Sequence, residues 1–214
     1  GDPNYNNGKP VNQAPGHQEI ELALVKLYRI TGDTLYLNMA KRFLDIRGIT
    51  YRPEGTGVML PEYAQQHAPV REQTKAVGNA VRATYLYSAM ADVSVYTHDL
   101  TLRTALDSIW HNIVDTRMHI TGGLGAVHGI EGFGPVYELP NKEAFDETCA
   151  AVGNVFFNHR MFLMEKDGKY MGVAEVALLN NVLDWVNLEG NRFFLLNPLE
   201  SDGIKPFKSG NKGR

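Results

Sequence analysis

A repeated helical hairpin is the feature that most constrains the fold of this chain. Apolar residues recur with helical spacing up to the turn Thr31-Gly32-Asp33, and a second helix follows it and ends at Gly48. The same unit returns around the turn Thr97-His98-Asp99, and again around Lys166-Asp167-Gly168. The first two turns lie 66 residues apart, and the third follows after close to one more period. The sequence therefore predicts three αα-hairpins and six helices.

The hairpins are separated by two long connections, at residues 49–71 and 116–147. Compact domains usually connect their elements with about 4 to 6 residues, and much longer loops tend to carry function. The predicted helices cover approximately residues 17–30, 37–46, 72–96, 100–114, 148–165 and 170–182. An all-α fold of this kind is either an open solenoid or part of a closed ring, and insertions that all fall between hairpins favour the ring.

We therefore predict part of an (α/α)6 toroid barrel with long functional loops between its hairpins. A closed ring of six hairpins needs on the order of 350 residues at typical helix and loop lengths. The 214 residues of this chain would form a partial barrel. Residues 1–15 are rich in Asn, Pro and Gly and predict an irregular lead-in, and residues 201–214 predict an irregular tail.

Composition excludes several classes of function. The net charge is -3, and neither sign is gathered in a run that would attract a nucleic acid or an anionic membrane surface. No apolar run approaches the roughly 20 residues that span a bilayer. The single cysteine, Cys149, cannot close a disulfide within the chain. The N-terminus shows no secretory signal, and either the cytoplasm or a bacterial periplasm is consistent with the sequence.

The segment 121–134 is the most unusual in composition, since six of its fourteen residues are glycine. So many residues with access to positive φ predict a tightly folded loop whose backbone comes close to a ligand. The segment has neither the Lys-Ser/Thr ending of a P-loop nor the third glycine of a dinucleotide-binding fingerprint. The alternative interpretation is a flexible connector.

Three carboxylates, Glu131, Glu138 and Glu147, lie in or just after this loop. Cleavage of a glycosidic bond usually needs one protonated acid at the leaving oxygen and a second group as base or nucleophile. Phe133 and Tyr137 could stack on a sugar. The alternatives are solvated surface carboxylates and aromatic residues that pack in a helical core.

Glu147, Thr148 and Cys149 place a carboxylate and the thiol two residues apart. Within a regular helix these two side chains would point about 200° apart, whereas at a helix entry they face the same side. A shared metal therefore requires this tripeptide to precede the helix, with Thr148 as a candidate N-cap. The alternative is that Cys149 is a small buried apolar residue.

Seven histidines are dispersed along the chain, and no H-E-x-x-H pair is among them. His17 opens a helix and His67 lies in a long loop, so these two are the better candidates for a site. His98, His111 and His119 are expected on solvated helix faces or turns. The sequence therefore predicts no local histidine metal cluster.

Several motifs together resemble glycoside hydrolase family 127, the β-L-arabinofuranosidases and their relatives. They occur in the expected order and cover most of the chain from residue 16 to residue 200. The blocks are GHQEIELAL at 16–24, PVREQ at 69–73, YLYSAMAD at 85–92, ITGG at 120–123, YELPN at 137–141, ETCAA at 147–151 and NPLE at 197–200.

The resemblance implies an (α/α)6 barrel with trailing β-sandwich domains, acting as a retaining exo-glycosidase. In this family a cysteine thiolate held on zinc is the nucleophile and a glutamate is the acid/base. Carried over by motif, Glu131 would be the acid/base, and Glu147 and Cys149 would be zinc ligands. His17 and Gln18 would line the sugar pocket. Zinc keeps a thiol deprotonated near neutral pH, so these roles are chemically coherent.

The chain departs from the family pattern at two places. The adjacent cysteine pair that supplies the nucleophile and a further ligand beyond the NPLE block is not in these 214 residues. Asn79 stands where the family has a histidine, and its amide can bind a sugar hydroxyl but cannot carry a proton. The expected partners are a carbohydrate substrate and either the missing remainder of the barrel or an oligomeric partner.

Two other functions remain open from the sequence. One is a non-catalytic carbohydrate-binding or interaction module that kept the pocket and lost the chemistry. The other is a different α/α-toroid sugar hydrolase, such as an unsaturated-uronide hydrolase. Absence of stoichiometric zinc would favour the first of these, and full activity in Cys149→Ser would favour the second.

Overall fold

The computed structural model describes residues 16–49, 60–201 and 203, and within them it contains the three predicted hairpins. The predicted lead-in at 1–15 and nearly all of the predicted tail lie outside the described residues. The helices are α1 (Ile20–Thr31), α2 (Thr34–Ile46), α3 (Ala80–Thr97), α4 (Leu100–Thr116), α5 (Thr148–Glu165) and α6 (Gly168–Ala177).

All three hairpins turn in the same way. The first helix ends in a residue with left-handed backbone, and the next residue is an aspartate whose carboxylate accepts a backbone N–H at the start of the second helix. The left-handed residues are Gly32, His98 and Lys166. The capping aspartates are Asp33, Asp99 and Asp167, with N–O distances of 2.9 to 3.3 Å. This shared local chemistry explains why the repeat is visible in the sequence.

The first helices of the hairpins lie side by side, and each second helix packs against its own partner. Helix α3 contacts both α1 and α5, and its packing against α5 is the most extensive of any helix pair. Leu86, Tyr87 and Met90 of α3 are completely buried between its neighbours. The arrangement is all-α, as predicted, and is consistent with part of an α/α toroid that has α1, α3 and α5 in one layer. In the described ranges there are isolated β-bridges but no strand.

The third helix is shorter than its apolar pattern indicates. The pattern predicts a helix over residues 72–96, but Val70–Glu72 forms a 3-10 turn and α3 begins at Ala80. The backbone between them is bound by side chains: the N–H of Ala76 donates to Asn112, and the carbonyl of Val77 accepts from Gln65. Because these backbone groups already have hydrogen-bond partners, the segment does not require the backbone hydrogen bonds of a helix.

The last helix changes its register at its C-terminal end. Regular α6 ends at Ala177, and Leu178–Leu183 continues as a π-helix rather than as the α-helix predicted to residue 182. Asn181 is the buried residue of this π-helical segment.

A further structural finding is that no helix in the described part of the chain combines the length and apolar character needed to cross a membrane.

Candidate active site

The start of α5 brings Glu147 and Cys149 together. Glu147 has extended backbone (φ −73°, ψ 134°) and is the residue before the helix, while Cys149 lies in its first turn. The Glu147 carboxylate and the Cys149 thiol shift each other's pKa, so the two side chains lie close together at the helix entry. The expectation that Thr148 is the N-cap is wrong by one residue, because its hydroxyl instead donates to the Phe194 carbonyl at 2.6 Å.

Cys149 is exposed, and the interpretation of this residue as a small buried apolar side chain is therefore wrong. One side of the thiol reaches solvent, but the surrounding protein desolvates the thiolate. This desolvation is the largest of the causes that raise the pKa of the thiol to about 12. The charge and hydrogen bond of Glu147 and the charge of Glu131 raise the thiol pKa further. Without a nearby cation this sulfur keeps its proton at neutral pH.

Glu131 approaches this pair from the glycine-rich loop. The pKa of the Glu147 carboxyl is raised mainly by burial, and the negative charge of Glu131 also raises it, against the lowering hydrogen bond from Cys149. Glu131 thus acts electrostatically on both residues from 16 positions earlier in the chain than Glu147. Glu147 and Cys149 are therefore neighbours at the start of α5, and Glu131 lies near enough for its charge to affect both.

A short turn presents Glu131 to solvent. Val127 and Gly132 exchange backbone hydrogen bonds of 3.0 and 3.1 Å, which closes a tight turn over the residues between them. Glu131 has φ 51°, a left-handed conformation that is uncommon for a residue with a side chain and concentrates at functional sites. Its carbonyl accepts the Ala80 N–H at 3.1 Å, so the turn is fixed to the start of α3.

The glycines of the loop are required by close packing of the protein on itself. A Cβ on Gly132 would lie 1.9 Å from the carbonyl oxygen of Gly78. A Cβ on Gly123 would lie 1.9 Å from side-chain atoms of both Asp146 and Asn181. The composition of the loop predicts close approach of its backbone to a ligand; at these two positions the close neighbours are backbone and side chains of the chain itself.

The predicted sugar contacts differ in how they are placed. His17 is exposed, and its Nδ1 lies 3.3 Å from a carboxylate oxygen of Glu19. Gln18 is completely buried, and its Nε2 donates to the Ala64 carbonyl at 2.9 Å and to the side chain of Gln65. The Gln18 amide nitrogen is therefore bound within the protein, while His17 remains accessible.

Asn79 serves the fold as the N-cap of α3. Its Oδ1 accepts the Arg82 N–H at 2.9 Å, and its Nδ2 lies 3.5 Å from the carbonyl of Ile130, the residue before Glu131. Asn79 is nearly completely buried. Its side chain therefore supports the turn that carries Glu131.

Of the remaining aromatic and acidic residues in this region, one is buried in the core and two are exposed at the surface. Phe133 is buried in the main hydrophobic cluster, which agrees with the packing alternative. Tyr137 and Glu138 are exposed. The expectation that His119 lies on a solvated surface is wrong, because this residue is buried, and its burial lowers the pKa of the imidazole.

A groove of about 300 Å³ lies beside the site, along the layer formed by α1, α3 and α5. Tyr85 belongs to its lining, and the pKa of this phenol is raised first by burial and then by the charges of Glu19 and Cys149. Phe156 stacks edge-on against Tyr85 with ring centroids 6.0 Å apart.

Sequence reasoning missed three buried polar residues next to the site: Asp146, Asn181 and Asn197. Asp146 precedes Glu147 directly, and its Oδ1 accepts from Asn181 at 2.9 Å. Asn197 donates from Nδ2 to the Thr148 hydroxyl at 2.9 Å. The sequence signals that could have found two of them are the NPLE block, which Asn197 opens, and the position of Asn181 within a largely apolar helical segment.

The donor atoms present fit part of a zinc site. A carboxylate oxygen and a thiol sulfur are both common zinc ligands, and zinc in proteins usually has four. Within the part of the chain that the structure describes, no group of three or more His, Cys, Asp or Glu side chains lies close enough together to hold a metal. Glu147 and Cys149 would therefore supply two positions, and the others would come from elsewhere.

Comparison with known proteins identifies the family of this chain. The family model for the catalytic domain of GH127 β-L-arabinofuranosidases matches residues 6–212. The chain belongs to the GH127 family. A non-reducing end β-L-arabinofuranosidase from Bifidobacterium longum is 36% identical over 210 residues, which cover 91% of this chain and 32% of that protein.

Solved structures of GH127 proteins share the fold. One described as a GH127 β-arabinofuranosidase is 51% identical, with a TM-score of 0.83 over 92% of this chain and 30% of that one. A GH127 β-L-arabinofuranosidase from Geobacillus stearothermophilus T6 is 41% identical, with a TM-score of 0.84 over 89% of this chain and 32% of that one. This GH127 chain thus spans about a third of the length of the relatives it matches.

Proposed function

We propose that this GH127 chain carries the acid/base and two zinc ligands of a retaining, exo-acting glycoside hydrolase that releases β-L-arabinofuranose from non-reducing ends. The observation that supports the proposal is the placement of Glu147 and Cys149 at the start of α5, within reach of the charge of Glu131. The sugar and the bond cleaved are those named for its relatives, a non-reducing end β-L-arabinofuranosidase among them.

In this proposal Glu131 donates a proton to the oxygen of the leaving group and later takes one from water. Such a residue has to reach the glycosidic oxygen directly, and the Glu131 side chain is exposed at the end of a tight turn. The turn is held by the Ala80 N–H and by Asn79 beneath it, so the carboxylate is presented from a fixed backbone. Fixed presentation lowers the entropic cost of reaching the reactive geometry.

Glu147 and Cys149 would hold the zinc ion. A bound divalent cation keeps a coordinating thiol deprotonated. The negative charges of Glu147 and Glu131 both act on Cys149, so the surroundings of this thiol favour a bound cation. The nucleophilic thiolate itself would come from outside these 214 residues.

The sugar pocket would be formed by His17, Gln18 and Asn79, which would have different roles in it. His17 is accessible and would contact a sugar hydroxyl directly. Gln18 and Asn79 are buried, and both are tied to Gln65, whose Nε2 lies 3.2 Å from the Asn79 carbonyl. We infer that these two amides mainly fix the pocket wall.

The test is a chimera in which this chain replaces the corresponding third of the GH127 β-arabinofuranosidase that is 51% identical to it. With the proposed roles, the purified chimera binds one zinc per active site and hydrolyses a β-L-arabinofuranoside with retention at the anomeric carbon. The Cys149→Ser chimera loses zinc and activity together. A chimera that folds and binds arabinose without hydrolysis supports the binding-module alternative, and full activity in Cys149→Ser supports another type of toroid hydrolase.

A further inference from the structure

Asp146 has its backbone fixed on both sides, immediately before Glu147. Its N–H donates to the Gly125 carbonyl at 2.8 Å, and its own carbonyl accepts the Asn197 N–H at 3.1 Å. Asp146 has φ 38°, a left-handed conformation that costs about 1 kcal/mol or more for a residue with a side chain and persists only where surrounding contacts impose it. The turn at Asp146 sets the direction in which the next residue leaves.

The side chain of Asp146 is held by the π-helical segment. Its Oδ1 accepts from Asn181 Nδ2 at 2.9 Å, and both side chains are completely buried. The π-helical register of Leu178–Leu183 determines which side of the helix Asn181 occupies, and such segments are frequent at functional sites. A buried amide that meets a buried carboxylate in this way is placed for a specific contact, since each would otherwise be costly to bury.

The side chains of Asp146 and Asn181 also pack against the glycine-rich loop. Gly123 passes so close that a Cβ there would collide with Asp146 Oδ1 and Asn181 Nδ2. One side chain therefore joins three elements: the π-helical segment, the glycine-rich loop and the entry to α5.

Thr148, on the other side of Glu147, is fixed as well. Its N–H donates to the Leu195 carbonyl at 2.9 Å and its hydroxyl to the Phe194 carbonyl. Asn197 then donates to the same hydroxyl. Glu147 is therefore the one residue between two anchored neighbours, and its direction follows from theirs.

We propose that Asn181 acts through Asp146 as a positioning residue, which fixes the backbone so that the Glu147 carboxylate faces Cys149. The metal-binding consequence rests on the proposed function, because Glu147 is a zinc ligand only there. Partners that orient a metal ligand typically change metal affinity by about 10- to 100-fold when they are removed. Neither Asn181 nor Asp146 needs to touch the metal or the substrate in this role.

The experiment compares Asn181→Ala with Asn158→Ala in the full 214-residue chain. Asn158 is the matched control because it is also a completely buried asparagine, which lies further along α5 and is bound to Trp110 and Asn154. Amide hydrogen exchange is measured by NMR in metal-free protein at Asp146 and Thr148, the residues on either side of Glu147. We expect exchange at these two amides to become about 10-fold faster or more in Asn181→Ala than in Asn158→Ala.

Zinc affinity is then measured by competition with a chromophoric chelator in the GH127 chimera that carries each variant. We expect Asn181→Ala to bind zinc about 10-fold more weakly than the unsubstituted chimera and Asn158→Ala to bind it equally well. Equal exchange rates in the two variants would overturn the positioning role. Faster exchange in Asn181→Ala, with no zinc bound by any chimera, would support the positioning of Glu147 and reject the proposed metal site.

Discussion

The Arg47 guanidinium and the Glu21 carboxylate form an ion pair with an N–O distance of 3.6 Å, and both side chains are completely buried. Burial shifts both groups toward their neutral forms, since it raises the pKa of Glu21 and lowers that of Arg47, while each partner's charge opposes the shift. The pair joins α1 to the end of α2, and Arg47 also donates to the Ala64 carbonyl at 3.0 Å. It thereby links the first hairpin to the connection that follows.

This relationship predicts a non-additive effect on stability. Arg47→Met leaves the Glu21 carboxylate buried without its cation and should lower the free energy of unfolding by about 3 kcal/mol or more. In the double variant Glu21→Met with Arg47→Met, no uncompensated charge remains and much of that loss should be recovered. Urea unfolding followed by circular dichroism measures both. Additive losses in the double variant would contradict the prediction.

Asp99 should make stability depend on pH in the acid range. Burial favours its protonated form, but hydrogen bonds from Thr101, Arg71 and the Leu102 N–H outweigh it and lower the carboxyl pKa from 3.8 to about 2. A pKa lowered by folding contributes stability above the unfolded value near 3.8, and this contribution is lost as the pH falls toward 2.

Asp99→Asn keeps the helix cap, because asparagine caps as well as aspartate, and removes the ion pair with Arg71. We expect it to lower the free energy of unfolding by about 1 kcal/mol at pH 7 and by much less at about pH 2. Asp33→Asn, the equivalent cap of the first hairpin, is the matched control and should have little effect at either pH. An Asp99→Asn effect of the same size at both pH values would be inconsistent with this account.

Two glycines of the same loop should respond differently to alanine. Gly123→Ala places a Cβ against Asp146 and Asn181, and we expect it to lower the unfolding free energy by about 2 kcal/mol or more. Gly129→Ala meets nothing within 4 Å and should change stability little. Thermal unfolding of the two variants checks this. Equal melting temperatures would show that the loop does not pack against Asp146 as described.

Glu131→Gln in the GH127 chimera should lower turnover by about 10²-fold or more for substrates with poor leaving groups. The loss should be much smaller for activated aryl glycosides, because their leaving groups need no protonation. Glu138→Gln, an exposed carboxylate in the same connection, is the control and should retain activity. If turnover by Glu131→Gln is unchanged with both substrate types, Glu131 has no acid/base role.

The layer of α1, α3 and α5 leaves large apolar side chains uncovered in this chain. Exposed examples are Leu27, Ile30, Tyr96 and Leu163. Scattered apolar residues are ordinary on a surface, but a contiguous patch usually marks a contact. We expect the isolated chain to self-associate and to bind a hydrophobic dye, and the chimera to do neither. Sedimentation velocity measures the association, and a monomeric chain without dye binding would contradict the expectation.

Local sequence determined the hairpins and the entry to α5. The aspartate caps at Asp33, Asp99 and Asp167 act within two or three residues, so their positions can be read from the chain. The same holds for Glu147 and Cys149, whose common direction needs only that the helix begin at Thr148. These are short-range effects of backbone geometry.

Tertiary structure alone decided the rest of the site. The late start of α3 depends on Asn112, which lies 36 residues from Ala76, and the contact of Asn181 with Asp146 spans 35 residues. The burial of His119 likewise depends on packing by the surrounding fold. A polar side chain is equally compatible with solvent and with a buried partner until the fold brings the partner close. The sequence alone could therefore single out Glu131, Glu147 and Cys149 as candidates, but not the buried contacts of the residues around them.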